Sequence, residues 1–130
     1  MTRDEILIIT NNPMVKDIDN DVEICFVEGH SKNVLYKALN MVGEGHKLLS
    51  HPLMGSIKPN QTPYKSILVG ANKQEADMAG LRILQNCLNK VEAMVNEKFA
   101  LDLDALWGGD LQLVDKDLIG NGLISLLNER

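Results

Sequence analysis

Aromatic side chains are scarce in this sequence: one Trp, two Tyr and two Phe make up 4% of its 130 residues. A core without them has to be built from Leu, Ile, Val, Met and Ala, and every aromatic that does occur stands out. A basic surplus is missing as well. Thirteen Lys and Arg against eighteen Asp and Glu leave a formal net charge of -5, the wrong sign for a protein that lives on phosphate backbones, so nucleic acid is excluded as an expected partner. Cysteine is limited to Cys25, in an apolar run, and Cys87, on a predicted helix face, and their spacing fits neither a CxxC pair nor a metal knuckle. Both are expected to be reduced, buried thiols in a cytoplasmic protein. No apolar run approaches the roughly 18 residues that a membrane span requires, and no charged-then-apolar leader stands before the first predicted strand. The expectation is a soluble, cytoplasmic chain with no metal and no cofactor.

With 45% hydrophobic residues, the chain has the means for one core, and its length is that of one domain. Ile6-Leu7-Ile8-Ile9 is a charge-flanked apolar run that ends in Thr10-Asn11-Asn12-Pro13, the pattern of a central strand closing in a turn. Val22 to Val27 reads as a second strand. Ser31 is placed to cap a helix carrying Val34, Leu35, Ala38, Leu39 and Val42, closed by Gly43 and Gly45. Lys47 to Ser50 follows as a third strand, which makes Val22 to Ser50 a β-α-β crossover with its two strands parallel. Ser66 to Val69 is a fourth strand stopping at Gly70. From about Gln74 to Lys98, Leu81, Leu84, Leu88, Val91 and Val95 form the stripe of a long helix. Leu101 to Trp107 is ambiguous between helix and irregular strap, with Gly108-Gly109 breaking it. Asp115 then caps a last helix with Leu118, Ile119, Leu123, Leu126 and Leu127 on one side. The glycines in that helix leave room for a homodimer interface. The fold class is α/β: residues 1–130 as a single domain, with a small sheet of about four mostly parallel strands, a β-α-β crossover and flanking helices.

The longest stretch without helical or strand period is Ser50 to Ser66, which holds three of the four prolines. Loops beyond about 12–15 residues are uncommon in compact domains and are usually functional or disordered. Proline restrains its own φ and the residue before it, so this loop is expected to be ordered. Ligands of open α/β sheets sit beyond the carboxyl ends of parallel strands, and those predicted ends carry Asn11, Asn12, Glu28 and His51. The loop adds Ser56, Lys58, Asn60, Thr62, Tyr64 and Lys65. Donors outnumber acceptors and two cations are at hand, a lining suited to a small anion such as a carboxylate or phosphate. His51 is the candidate acid–base group because it titrates near neutral pH, with Glu28 to orient it. Against each stands a plainer role: Asn11 and Asn12 are good turn formers, and Asp102, Asp104, Asp110, Asp115 and Asp117 look like caps and a solvated rim. No nucleophile elbow surrounds Ser50 or Ser56, and Met54-Gly55-Ser56 is not a phosphate-binding fingerprint. Trp107 reads equally as a satellite-core anchor or an interface hot spot.

Two stretches carry a family resemblance: Ile8-Ile9-Thr10-Asn11-Asn12-Pro13-Met14-Val15, and the run from Gly45 through His46-Lys47-Leu48-Leu49-Ser50-His51-Pro52-Leu53-Met54-Gly55-Ser56-Ile57-Lys58-Pro59-Asn60-Gln61-Thr62-Pro63-Tyr64-Lys65-Ser66. In both, the chain resembles the GrdX family, short proteins encoded beside the glycine reductase genes of amino-acid-fermenting anaerobes. The resemblance implies a cytoplasmic bacterial protein associated with the reduction of glycine, betaine or sarcosine. It implies no activity and transfers no catalytic residue. The expected function is therefore that of an accessory protein binding a small anionic ligand or a glycine reductase component through the Ser50–Ser66 loop. The alternative is a small hydrolase or isomerase acting on a carboxylated or phosphorylated metabolite, with His51 as acid–base.

Overall fold

The computed structural model describes residues 1–52, 62–94 and 97–129, apart from the side chains of 94, 97–101 and 103. Four strands, β1 (Ile6–Thr10), β2 (Glu23–Phe26), β3 (His46–Leu48) and β4 (Ser66–Lys73), combine with helices α1 (Ser31–Gly43), α2 (Met78–Met94) and α3 (Glu97–Leu127). The sheet order is β2-β1-β4-β3. β1 pairs with β2 in parallel, whereas β4 runs antiparallel to both β1 and β3.

This corrects the mostly parallel sheet: one pair of neighbours is parallel and two are antiparallel. The crossover through α1 does give β2 and β3 the same direction, but they occupy opposite edges. The cause is β4, which does not stop at Gly70 and, with eight residues, bonds to two partners. Its central residues Ile67, Leu68 and Val69 are fully buried, so it takes an interior place. One consequence favours a site. The carboxyl ends of β1, β2 and β3 and the amino end of β4 all emerge at one edge of the sheet.

Strand alternation divides the core in two. Leu7 and Ile9 of β1 and Ile67 and Val69 of β4 meet Val34, Leu35, Ala38 and Val42 of α1 and Leu84, Cys87, Leu88 and Val91 of α2. Ile6, Ile8 and Leu68 face the other way, onto Ile119 and Leu123 of α3 with Val15 and Val22. Helices cover both faces, which explains why every residue of β1 is buried and why its sequence is an unbroken apolar run. At the start of α1 the cap is His30, not Ser31: its Nδ1 accepts from the Lys32 amide. At the far end Gly45 has φ +116°, and a Cβ there would lie 2.4 Å from the Gln74 carbonyl oxygen, so only glycine fits that turn.

The largest departure from the sequence expectation is α3. It runs unbroken for 31 residues, through the ambiguous Leu101–Trp107 segment and through Gly108-Gly109. A glycine pair weakens a helix by about 1 kcal/mol per residue relative to Ala, but it does not forbid helical φ and ψ, and tertiary packing along the sheet covers the cost. Asp115 therefore lies in mid-helix and caps nothing. α2 begins at Met78, later than the expected start near Gln74.

Candidate functional site

At the sheet edge where the strand ends converge, Thr10, Asn11 and Asn12 are all buried. Asn12 closes the expected turn, its Oδ1 accepting from the Met14 amide at 3.0 Å. Its side-chain amide does more, donating to the Gln112 carbonyl (2.7 Å) and to Asp115 Oδ2 (3.1 Å). The Asn12 backbone N–H donates to Thr10 Oγ1 at 3.0 Å, the Thr10 and Ser66 hydroxyls are 2.7 Å apart, and Ser66 Oγ donates to Asp115 Oδ2 at 2.7 Å. The hydroxyls thus form a relay that ends on a carboxylate, in which each bond polarises the next.

Asn11 grips a different segment. Its Nδ2 donates to the carbonyls of Gly29 (2.9 Å) and Pro63 (2.7 Å), and its Oδ1 accepts from the Lys65 amide at 2.9 Å. One side chain joins the end of β1, the turn after β2 and the end of the Ser50–Ser66 loop. The loop's other end is held as well. Ser50 Oγ accepts from the Leu68 amide at 2.9 Å, and the Lys65 ammonium donates to the Pro52 carbonyl. A second anchor joins the loop to α3: the Tyr64 hydroxyl donates to Asp104 Oδ1 (2.6 Å) and accepts from Gln112 Nε2 (2.8 Å).

The electrostatics of this edge centre on two half-buried groups. Burial pushes the Asp115 carboxyl above the ordinary range, while the bonds from Ser66 and Asn12 and the charge on Lys65 offset part of that rise. Burial pulls the Lys65 ammonium below the usual lysine range, against the pull of Asp115. The Cys87 thiol is raised by burial, opposed by Lys65 and Lys90. Burial and the bond to Asp104 raise the Tyr64 phenol. Thr62, Tyr64, Lys65 and Asp115 line a pocket of about 30 Å³ together with Leu111, Val114 and Leu118. That volume holds about a water molecule or one small polar head group.

Of the ten residues expected at the site, Asn11, Asn12, Thr62, Tyr64 and Lys65 come together at this edge. Ser56, Lys58 and Asn60 lie outside the described residues. His51 follows β3 and is exposed, while Glu28 follows β2 and is exposed. β2 and β3 are the two edge strands, about three strand spacings apart, so Glu28 and His51 leave the sheet at opposite edges and not from neighbouring strands. Sequence reasoning missed Asp115, Asp104 and Gln112. The signal was the spacing: Asp104, Gly108, Gln112, Asp115 and Ile119 recur every three to four residues, so the carboxylates share the inward stripe of α3 with Ile119. Reading a break at Gly108-Gly109 concealed it. Among the described residues no group of three or more His, Cys, Asp or Glu could hold a metal ion, and no helix is long and apolar enough to cross a membrane.

These features define an α/β protein with a four-stranded mixed sheet between helices and a proline-rich loop pinned at both ends to a polar strand-end edge. Residues 7–124 match the family model described as GrdX-like protein, and the chain belongs to that family. No curated protein and no solved structure matches it.

Proposed function

We propose that this chain is a non-catalytic accessory protein of glycine reduction, which recognises a carboxylate, free or carried on a reductase component, through its Ser50–Ser66 loop. The resemblance to proteins encoded beside glycine reductase genes supports that setting. The observation that carries the reading is the pinning of the loop at both ends, by Ser50 and Pro52 on one side and by Pro63 and Lys65 on the other. A loop held in this way loses less entropy when it binds. Lys65 and Thr62 bring an ammonium and a hydroxyl to the pocket lining, donors that suit a carboxylate head group, and the burial that raises the Asp115 pKa lessens the charge which that carboxyl sets against an anion. The pocket's small volume supports recognition of a head group over catalysis, because sites that enclose a whole metabolite run to several hundred Å³. The enzymatic alternative keeps His51 as acid–base, with Glu28 beyond the opposite edge strand.

Isothermal titration against glycine, betaine, sarcosine, acetyl phosphate and phosphate, together with a pull-down of reductase components, tests the proposal. The expected result is binding in at least one arm, weakened by Lys58→Ala and Asn60→Ala in protein of unchanged melting temperature. Silence in both arms sinks it. A metabolite turnover abolished by His51→Ala would instead establish the enzyme.

A further inference from the structure

Hydrogen-bond capacity around the pocket at the base of the loop divides into groups already engaged and groups still open to a ligand. The Tyr64 hydroxyl is engaged on both sides, donating to Asp104 Oδ1 and accepting from Gln112 Nε2. The Thr62 hydroxyl oxygen accepts from the Tyr64 amide at 3.1 Å, which leaves its O–H to donate. The Lys65 ammonium bonds the Pro52 carbonyl and has further N–H groups to offer. Asp115 takes both of its bonds, from Ser66 and Asn12, on Oδ2, and among the described residues nothing donates to Oδ1.

Two of these open groups carry opposite charges. Lys65 and Asp115 line the same pocket of about 30 Å³ and attract one another, yet among the described residues no ion pair within 4.0 Å joins them. Each charge is thus partly withdrawn from water without its counter-charge in contact. Leu111, Val114 and Leu118 complete the lining, and apolar neighbours strengthen the attraction for any ligand charge placed beside them.

We propose that this pocket binds a small zwitterion, an α-amino acid whose ammonium donates to Asp115 Oδ1 and whose carboxylate accepts from the Lys65 ammonium and the Thr62 hydroxyl. Recognition of a carboxylate at the same place is the reading on which this rests, and the ammonium is what it adds. A ligand with a carboxylate alone leaves Asp115 Oδ1 unmatched and brings a like charge towards it. A ligand with an ammonium alone does the same to Lys65. A molecule carrying both charges a few bonds apart satisfies both side chains, and the small volume favours the shortest of that kind. Its nitrogen must carry an N–H to bond Oδ1, so a quaternary ammonium is excluded. An ammonium at that oxygen also favours the ionised carboxylate, offsetting the burial that raises the Asp115 pKa.

Isothermal titration of the full chain with glycine, acetate, methylammonium and betaine is the test. Glycine is expected to bind at least about tenfold more tightly than the other three, since each of them forfeits a charge-assisted bond. Asp115→Asn keeps the shape and an oxygen for Ser66 and Asn12 but turns an N–H towards the ligand. It is expected to lower glycine affinity by about tenfold and to leave acetate as it was or tighter. Lys65→Met is expected to weaken glycine and acetate alike. Acetate within about threefold of glycine in the wild type overturns the zwitterion and leaves carboxylate recognition standing. No binding of any of the four overturns the zwitterion and, with it, recognition of a free carboxylate. Betaine as tight as glycine, or a glycine-to-acetate ratio unchanged in Asp115→Asn, removes Asp115 from the site and overturns the inference. The wild-type ligand series decides the matter even where a variant fails to fold.

Discussion

The hydroxyl of Ser66, the first residue of β4, donates a 2.7 Å hydrogen bond to the carboxylate of Asp115, 49 residues away in the middle of α3. It fastens the long helix to the sheet edge at the point where the Ser50–Ser66 loop rejoins the core. Replacing Asp115 by Ala strands the Ser66 hydroxyl and the Asn12 amide at once, and the expected loss is about 2–3 kcal/mol in urea unfolding.

A pH dependence follows from the same carboxyl. Its folded pKa lies above the ordinary Asp range, so the native state binds this proton more tightly than the unfolded chain does. The contribution is therefore fully present at pH below the unfolded Asp pKa and is lost as pH rises through the raised value. Asp115→Asn cannot ionise and is expected to flatten that fall. Stability of both proteins measured across about pH 4 to 8 decides the matter, and parallel curves would remove Asp115 from the pH response.

Asn11 satisfies two carbonyls and one amide on three separate segments. Asn11→Asp replaces a donor with a charge facing the Gly29 and Pro63 carbonyls, whereas Asn11→Ala only leaves them unbonded. The aspartate is expected to be the more damaging change at neutral pH, and the alanine to cost about 2–3 kcal/mol. Differential scanning calorimetry reads both; equal melting temperatures for wild type and Asn11→Ala would disprove the clamp.

Gly109 tests the continuity of α3. A Cβ there meets nothing within 4 Å, so Gly109→Ala is expected to stabilise the protein by about 0.5–1 kcal/mol through backbone entropy alone. If the chain turned at this point, the substitution would be neutral or harmful. Gly108 behaves differently, because its Cβ would approach to 2.6 Å from Asp104 Oδ1, the atom that accepts from Tyr64.

The Tyr64–Asp104 bond suits a double-mutant cycle. Tyr64→Phe and Asp104→Ala are each expected to cost about 1 kcal/mol, and the pair to cost less than the sum, since they break one bond between them. Additive losses would show that the contact contributes nothing to stability.

Much of this architecture was legible in the chain. Ile6 to Ile9 is apolar at every position because helices cover both faces of β1, and the period of Val34, Leu35, Ala38 and Val42 marked α1. Asn11 and Asn12 stand out as strand-end residues. The neighbours were not legible. The place of β4 beside β1 is decided by long-range pairing that leaves no local trace, and it set Glu28 apart from His51. Gly108-Gly109 misled because helix propensity is a local preference of about 1 kcal/mol per residue, overridden by packing.

By itself the sequence determined which segments become strands and helices, the aliphatic character of the core and the family, because these depend on periodicity, composition and motif. Only the tertiary structure decided that Asp115, one of five acidic residues whose pattern is that of caps and a solvated rim, is half-buried and bonded to Ser66 and Asn12 beside Lys65. That placement depends on the phase of a 31-residue helix relative to the sheet, and the phase is chosen by burial of Ile119 and Leu123 against Ile6, Ile8 and Leu68. Once those side chains are buried, the residue one turn before Ile119 must face the strand ends.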